Sequence, residues 1–372
     1  MKYELTAPCH FGLEKTLSFE IKRAGGENVR ASDGRVDLTG DENVIAKANM
    51  TCSVAERIGI VLARFTAKTF DDVFEGCKKI PIEQFAGRTD KIHIVKGHSL
   101  GSKLTSIPAI QRTIKKALVI RMQGAYKIQT LPETGAVFPV HFLLMKDEMT
   151  VTLDTSGAGL HKRGYRAMSN AAPIKETLAA GMIDLAHVKS SDTVIDPFCG
   201  SGTILIEAAL KAANIAPCMN RRFAAMDWGC IDKKVWTDAL EAAKAAVRTD
   251  CAFTAFGYDI DPEAVKLTSE NAAKAGVSQF IKASKRDISD FHYPADGVKI
   301  ITNPPYAERM GELNEAKAIY RTMGDVLLPR GDNSIYVITS IEEFEELFGE
   351  KADKNRKLYN GMIQCRLYSY NK

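Results

Sequence analysis

A chain of 372 residues with 50 basic and 46 acidic side chains, 45% hydrophobic and 26% charged residues, has the composition of a globular protein of two or three domains. That excludes a disulfide-stapled miniprotein, a disordered chain and a fibre. The start MKYELTAPCH lacks the pattern of a signal peptide and no apolar run nears the ~20 residues that cross a bilayer, so a cytoplasmic protein with no membrane partner is expected. The 8 cysteines are scattered, with no C-x-x-C pair and no His at ligand spacing, which predicts reduced, mostly buried thiols and no metal.

Residues 3–8 read as a short strand, and apolar positions at helical spacing follow from Phe11 to Ile21. Asp33-Gly34 sits between two short alternating runs and predicts a hairpin. A helix from Asp41 to about Ala48, a β-branched strand from Arg57 to Thr66 and a helix from Phe70 to Lys79 come next. The β-α-β-β-α-β order predicts a ferredoxin-like α+β module over 1–80. A strand at Lys91–Gly97, an amphipathic helix at Ile107–Met122 and strands at Val137–Met145 and Met149–Asp154 predict a second α+β unit over 81–155. TSGAGLHKRGYR (155–166) reads as a linker, flexible at its start and basic at its end, placed at 156–170 and followed by a last domain over 171–372.

The net charge of +4 hides an uneven distribution: Lys78 to Lys127 holds eleven basic residues against two acids. Such a segment is the footprint of a phosphate-rich partner, the alternative being a solvated face. Lys91, Lys96, Lys103, Arg112, Lys115, Lys116 and Arg121 are the candidate contacts to such a partner, a nucleic acid, with Arg163 and Arg166 of the linker.

Beyond the linker, Ala-rich helices (Pro173–His187, Thr203–Ala213, Lys233–Val247, Pro262–Ala275 and around Ala316–Leu328) alternate with short apolar strands (Thr193–Ile195, Phe253–Tyr258, Lys299–Ile301, Ser334–Ile338). This rhythm predicts a parallel, doubly wound α/β sheet. Arg356–Tyr359 and Met362–Tyr370, around Asn360-Gly361, add a closing antiparallel hairpin. Trp228 and Trp236 are assigned to core packing.

The first of these strands runs into Asp196-Pro-Phe-Cys-Gly-Ser-Gly-Thr203 and a helix. Ligands of open α/β sheets bind beyond the carboxyl ends of strands, and Gly200 and Gly202 allow close backbone approach. A P-loop would need a Lys, and a dinucleotide fingerprint would need Gly where Leu205 stands. Asp196 suits a cationic amino group rather than a pyrophosphate. GYDID (257–261) ends the next strand with Asp259, able to accept ribose hydroxyls; KRDISD (285–290) puts Asp287 beyond a third, and Asn303-Pro-Pro-Tyr306 follows a fourth. Hydrogen bonds to the Asn303 side-chain oxygen and the Pro304 carbonyl would localise the lone pair of a ring-conjugated exocyclic amine, with Pro305 stiffening the loop and Tyr306 offering a stacking face.

DPFCGSGT, GYDID, RDI and TNPPY together resemble a class I S-adenosylmethionine-dependent methyltransferase acting on amino groups. With LHKRGYR, the APIKETLAAGMI helix and the N-terminal half, the chain resembles over most of its length the THUMP-domain guanine-N2 RNA methyltransferases, nearest the stand-alone bacterial relatives of the large-subunit ribosomal RNA enzyme. The resemblance implies a Rossmann-like methyltransferase domain preceded by ferredoxin-like and THUMP modules that hold RNA. It implies S-adenosylmethionine at Asp196, Pro197, Phe198, Cys199, Gly200, Gly202 and Thr203, at Asp259 and Ile260 for the ribose side, at Asp287 and Ile288 for the adenine, and at Asn303, with helix 173–181 beside it. Catalysis falls to Asn303, Pro304, Pro305 and Tyr306. The expected substrate is 23S ribosomal RNA, with transfer RNA as the alternative and a non-catalytic RNA-binding assembly factor as the reading from another class. The chain ends soon after the sheet, so the second methyltransferase of the fused relatives is not expected.

Overall fold

The computed structural model describes residues 1–95, 97–166, 174–306, 312–329, 331–361 and 363–371. Tyr3–Pro8 forms β1, and Leu13, Leu17 and Ile21, repeating every four residues, give α1 (Glu14–Arg23) and the turn before it one fully buried stripe. β2 (Glu27–Ser32) and β3 (Arg35–Gly40) turn at Asp33-Gly34, where Gly34 takes φ +69°. Asp41 caps α2 (Glu42–Thr51) by accepting the Val44 N–H at 3.0 Å. Then follow β4 (Gly59–Thr66), α3 (Phe70–Lys78), β5 (Lys91–Ile94), β6 (His98–Leu100), α4 (Ile107–Tyr126), β7 (Val137–Met145) and β8 (Glu148–Asp154).

These strands make one sheet, in the order β2-β3-β1-β4-β8-β7-β5, with β6 also on β7. Its first four strands are antiparallel neighbours with the connectivity expected of the N-terminal module. The sheet does not stop there: β4 pairs with β8 from Gly59↔Asp154 to Thr66↔Glu148, so the two expected α+β units share a sheet and neither leaves β4 as an open edge. The expected strand 91–97 is broken into β5 and β6, laid end to end along β7. At Gly97 a Cβ would sit 2.4 Å from the Phe142 carbonyl oxygen, so the chain passes β7 there in a way only glycine allows. Lys96 lies outside the described residues.

The flexible start expected for the linker is corrected. Thr155 and Ser156 are buried; Asn49 Nδ2 donates to Thr155 Oγ1 at 2.8 Å, and Ser156 Oγ donates to Asn49 Oδ1 at 2.5 Å and accepts the Ile58 N–H at 2.9 Å. A polar cluster satisfied internally is rigid.

By contact density the described chain forms two units: residues 1–8, 18–160 and 221–241, and residues 9–17, 161–220 and 242–372. In the first, Trp228 stacks on Phe138 at 4.6 Å and donates Nε1–H to the Val137 carbonyl at 3.0 Å, while Trp236 stacks on Phe223 at 5.4 Å. Both are core aromatics, and the anchoring of 221–241 to β7 has no signal in the local sequence.

The second unit holds α5 (Glu176–Leu185), β9 (Thr193–Asp196), α6 (Thr203–Ala212), the end of α7 (Lys233–Ala245), β10 (Thr254–Asp259), α8 (Pro262–Ala275), β11 (Ile281–Lys285), β12 (Lys299–Thr302), α9 (Glu312–Leu327), β13 (Ser334–Thr339), α10 (Phe344–Phe348), β14 (Lys354–Asn360) and β15 (Ile363–Tyr370). Strand order is β11-β10-β9-β12-β13-β15-β14; the first five run parallel and β15 enters antiparallel to both its neighbours. Strand order reverses between β9 and β12, the switch point at which such sheets open a crevice. Tyr320, Phe344, Phe348, Tyr368 and Tyr370 form the aromatic core beside β13. Pro173, expected to open α5, lies outside the described residues. None of the described helices is long and apolar enough to cross a membrane, and no group of metal-ligating side chains occurs among the described residues. No disulfide occurs among the described residues, and six of the eight cysteines are buried.

Candidate active site

The four polar signatures lie at or just past the carboxyl ends of β11, β10, β9 and β12, in the spatial order Asp287, Asp259, Asp196, Asn303. At about 4.8 Å per strand the row spans about 14 Å.

Asp196 is the last residue of β9 and 1% exposed. Its Oδ1 accepts the Thr302 hydroxyl at 2.7 Å and the Phe198 N–H at 3.1 Å, whereas Oδ2 has no hydrogen-bond partner among the described residues. Burial pushes its carboxyl up to about 7, offset by the two hydrogen bonds and reinforced by the nearby charge of Asp259. A buried carboxylate with one oxygen unused is poised to pair with a cation.

The glycine turn is shaped by close contacts. Gly200 and Gly202 take φ +53° and +80°, and a Cβ on Gly202 would lie 2.8 Å from Thr268 Cγ2. Thr268 Oγ1 donates to the Gly200 carbonyl at 2.9 Å and Asn271 Nδ2 to the Ser201 carbonyl at 2.9 Å, so α8 fixes the turn. Pro197, Cys199 and Thr203 are buried and Phe198 is half-buried against the aromatic core. The Cys199 Sγ lies 3.6 Å from Thr268 Oγ1, and burial pushes its thiol up.

Asp259 closes β10 and bridges two turns, Oδ2 accepting the Gly200 N–H at 3.0 Å and Oδ1 the Asp261 N–H at 3.0 Å. Ile260 beside it is 64% exposed, a bare apolar face at a polar strand end. Asp287 Oδ1 accepts the Ser289 N–H and hydroxyl at 2.9 and 2.8 Å, and the first of these bonds chiefly holds its carboxyl below the usual range. Ile288 packs on the core.

Asn303 follows β12 directly. Its Oδ1 accepts the Tyr306 hydroxyl, so Tyr306 folds back over the loop instead of standing free. Burial pushes the Tyr306 phenol far above its usual range; the Cys365 thiol and the Tyr320 phenol nearby add to this and a bond with Asn360 opposes it. Pro304 is buried and Pro305 exposed, and the Pro305 carbonyl accepts the buried Tyr320 hydroxyl at 3.1 Å. Tyr320 also bonds Thr339 Oγ1 at 2.8 Å. The expected site residues thus converge, but Thr302, Thr268, Asn271 and Tyr320 were absent from the expectation. Their signal is polar residues on otherwise apolar inward faces: Thr268 and Asn271 alternate with buried Ala264 and Ala272 on α8.

The basic candidates divide. Arg163 is buried, its guanidinium on Glu207 at 3.3 and 3.4 Å and on the Cys218 thiol at 3.4 Å, with Tyr165 donating to the same carboxylate at 3.0 Å. Arg166 pairs with Glu176 at 2.8 Å. Buried Arg163 cannot reach a phosphate and is corrected from an RNA contact to an internal ion pair, whereas Arg166 keeps a partly exposed side chain. In the first unit Lys115 is held by Glu133 and the Ile92 carbonyl, and Arg121 by Glu83, so these two are partly exposed cations that already have a carboxylate partner. Lys91, Lys103, Arg112 and Lys116 are exposed.

Residues 163–369, more than half of the chain, match the family described as "RMKL-like, methyltransferase domain", and residues 4–59 match the "RlmL ferredoxin-like domain". The chain is 41% identical over 371 residues to "Putative RNA methyltransferase YpsC" of Bacillus subtilis (strain 168), covering 99% of this chain and 96% of that one. It is 32% identical over 368 residues to "Ribosomal RNA large subunit methyltransferase K/L" of Shewanella baltica (strain OS155), covering 96% of this chain and 52% of that one, and so spans about half the length of this relative. A solved structure described as "a putative methyltransferase complexed with SAH" superposes with a TM-score of 0.93 at 34% identity, covering 100% of this chain and 98% of the other. The expected Rossmann-like methyltransferase sheet and the N-terminal ferredoxin-like module are therefore both present.

Proposed function

Since this chain belongs to the RMKL-like methyltransferase family, we propose that it methylates the exocyclic N2 of a guanine in RNA, with S-adenosylmethionine as donor and 23S ribosomal RNA as substrate. One observation carries the reading: the Asn303–Tyr306 loop stands at the switch point of the sheet, hydrogen-bonded through neighbouring Thr302 to a buried carboxylate whose other oxygen takes no hydrogen bond among the described residues. The residues present fit the cofactor. Asp196 Oδ2 suits its amino group, the Gly200–Gly202 turn leaves its chain room, Asp259 and the exposed Ile260 suit a ribose and the face of a base, and Asp287 Oδ2 an adenine amine. When bound, the cofactor supplies an electrophilic methyl carbon on a sulfonium.

Asn303 and Pro304 act on the attacking amine. Its lone pair is delocalised into the purine ring, and acceptors at the Asn303 Oδ1 and the Pro304 carbonyl pull its two protons and restore nucleophilicity. An amide oxygen has two lone pairs, so Asn303 Oδ1 can serve the amine while the Tyr306 hydroxyl keeps the amide turned to the crevice. Tyr320, through the Pro305 carbonyl, holds the loop in register. With the cofactor held by these residues, the amine would take up the methyl group and pass its surplus proton to water, and the part of the protein's own residues is to set the two in line, positioning being the main catalytic term. Residues 81–155 serve as the THUMP module that holds RNA, with Lys91, Lys103, Arg112 and Lys116 as its exposed cations, beside a ferredoxin-like module over 1–80.

The test is nucleoside mass spectrometry of ribosomal and transfer RNA from a strain lacking the gene, with purified protein added back. Loss and restoration of N2-methylguanosine in 23S RNA is the expected result. Restoration in transfer RNA alone would move the substrate, and unchanged RNA in both would leave a non-catalytic RNA-binding role.

A further inference from the structure

Basic charge in this chain is not confined to residues 78–127. Between Lys351 and Arg366 five basic residues face a single acid, Asp353. They lie on and just before the β14–β15 hairpin of the second unit. The same hairpin carries an aromatic pair that is not core: Phe11, 51% exposed, meets the half-buried Tyr359 at a ring-centroid distance of 5.8 Å, and Lys357 Nζ lies 5.4 Å from the centre of the Tyr359 ring.

This pair is built into the fold. Gly12 takes φ +91°, a Cβ there would lie 2.8 Å from the Lys357 carbonyl oxygen, and Arg356 Nη1 donates to the Gly12 carbonyl at 2.8 Å, so the backbone beside Phe11 is locked onto β14. Leu13 fills the space over Gly181 of α5, and His10 Nε2 meets Thr177 Oγ1 of the same helix at 3.3 Å. An aromatic ring kept in water on so fixed a backbone loses little freedom when something covers it. The hairpin also reaches the catalytic loop: Asn360, at its turn, and Cys365 are the neighbours of the Tyr306 phenol, and Ile363, paired with Asn360, is exposed.

We propose that Phe11 and Tyr359, with Lys357 and Arg356, form a stacking platform for unpaired nucleotides adjoining the target base. This rests on the reading of the chain as an RNA methyltransferase. Every base has a π-face, so stacking on such a pair needs no sequence, and the lysine and arginine beside it meet the backbone phosphates. Aromatic rings interleaved with cations, beside a loop that acts on an extruded base, complement a single-stranded, anionic ligand. The platform gives the catalytic unit an RNA grip of its own, separate from the exposed cations of α4.

The experiment compares wild type, the double variant Phe11→Ala/Tyr359→Ala and the conservative pair Phe11→Tyr/Tyr359→Phe in methylation of a 23S RNA fragment, with S-adenosylhomocysteine calorimetry on each. The double variant is expected to raise the KM for RNA about tenfold or more, the loss of one stacked base being of that size. Its kcat at saturating RNA and its affinity for S-adenosylhomocysteine should stay at wild-type values, and the conservative pair should keep the wild-type KM. An unchanged KM in the double variant, with wild type active on RNA, overturns the platform and leaves the proposed function standing. A wild type that methylates no RNA overturns both. A fall in S-adenosylhomocysteine affinity in the double variant would assign the pair to structure instead, and a concentration-dependent dimer in sedimentation that the double variant dissolves would assign the surface to a second copy of the chain; either overturns the proposal.

Discussion

Asp196 at the end of β9 and Arg163 ahead of α5 are comparably buried, at 1% and 3% exposure. Arg163 spends its nitrogens on Glu207 and Cys218. Asp196 binds Thr302 and Phe198 through one oxygen and keeps the other without a hydrogen bond among the described residues. Desolvating a charge costs several kcal/mol in either case, and the return differs. In the Arg163–Glu207 pair it is taken inside the protein, as a fixed join between the segment before α5 and α6. At Asp196, in the function proposed above, it is deferred to the cofactor. A weaker form of the contrast runs through the first unit, where partly exposed Lys115 and Arg121 are paired with carboxylates while Arg112 and Lys116, on the same helix, are exposed.

The largest effect should come from breaking both members of that comparison. Asp196→Ala is expected to weaken S-adenosylmethionine binding about 10³-fold, since removing one partner of a buried charge pair costs ~2–5 kcal/mol, while the fold survives. Arg163→Ala should do the reverse, costing ~3–5 kcal/mol of stability by stranding Glu207. Calorimetry and thermal unfolding on both variants separate the two; a destabilised Asp196→Ala with normal cofactor affinity would exchange the roles. The raised Asp196 carboxyl adds a pH signature. The ligand-free protein holds this proton up to about pH 7 whereas an ordinary Asp loses it near 3.8. Between those values the folded state binds more protons than the unfolded, so its stability declines as pH rises through that window and is level above it. Cofactor affinity must run the other way, falling about tenfold per pH unit below 7 because only the charged carboxylate pairs with the ammonium. Asp196→Asn should remove both slopes.

Sequence made the second unit legible because its site is built from strand ends. A residue at the end of a parallel strand, or just past it, has its place set by the sheet, so Asp196, Asp259, Asp287 and Asn303 fall in a row once the strands are found. α8 lies at its expected bounds, Pro262–Ala275, for a local reason: Asp261 caps it and Gly276 in the left-handed region ends it. What could not be read is what depends on distant pairing. β4 meets β8 nearly a hundred residues away, residues 9–17 and 221–241 each join the unit that their neighbours in sequence do not, and α10 is a five-residue helix too short for periodicity. Charge was the most misleading quantity. A count of cations cannot show that Arg163, Arg166, Lys115 and Arg121 have carboxylate partners, because Glu207, Glu176, Glu133 and Glu83 lie 10 to 44 residues away in sequence.

A smaller effect is expected at the catalytic loop. Asn303→Ala should leave cofactor binding intact and lower kcat about 10²-fold, as loss of one preorganised acceptor does. Tyr306→Phe keeps the ring and removes only the hydroxyl that holds the Asn303 amide, so its kcat should fall by less, about tenfold, with the KM for RNA unchanged. Tyr306→Ala should in addition raise the KM. If Tyr306→Phe matched wild type in kcat, the hydroxyl would have no part in orienting Asn303.

The smallest effect sharpens the comparison on α4. Arg112 and Lys116, four residues apart and exposed, lie along one face of the helix, and Lys116 Nζ stands 5.8 Å from the centre of the Phe74 ring. If they touch phosphates, replacing both by Ala should weaken RNA of any sequence severalfold and flatten the slope of log K against log salt by about one unit per contact removed. Lys115→Ala should leave that slope unchanged, because its charge is already neutralised by Glu133 and releases no counterion on binding. It should instead loosen the join between α4 and β5, where Lys115 donates to the Ile92 carbonyl at 2.5 Å. A fluorescence-anisotropy titration of RNA across salt concentrations on the two variants reads the difference. Equal slopes for Lys115→Ala and for the Arg112/Lys116 double variant would mean that the ion pair opens on binding and that composition, not geometry, had counted the RNA contacts correctly.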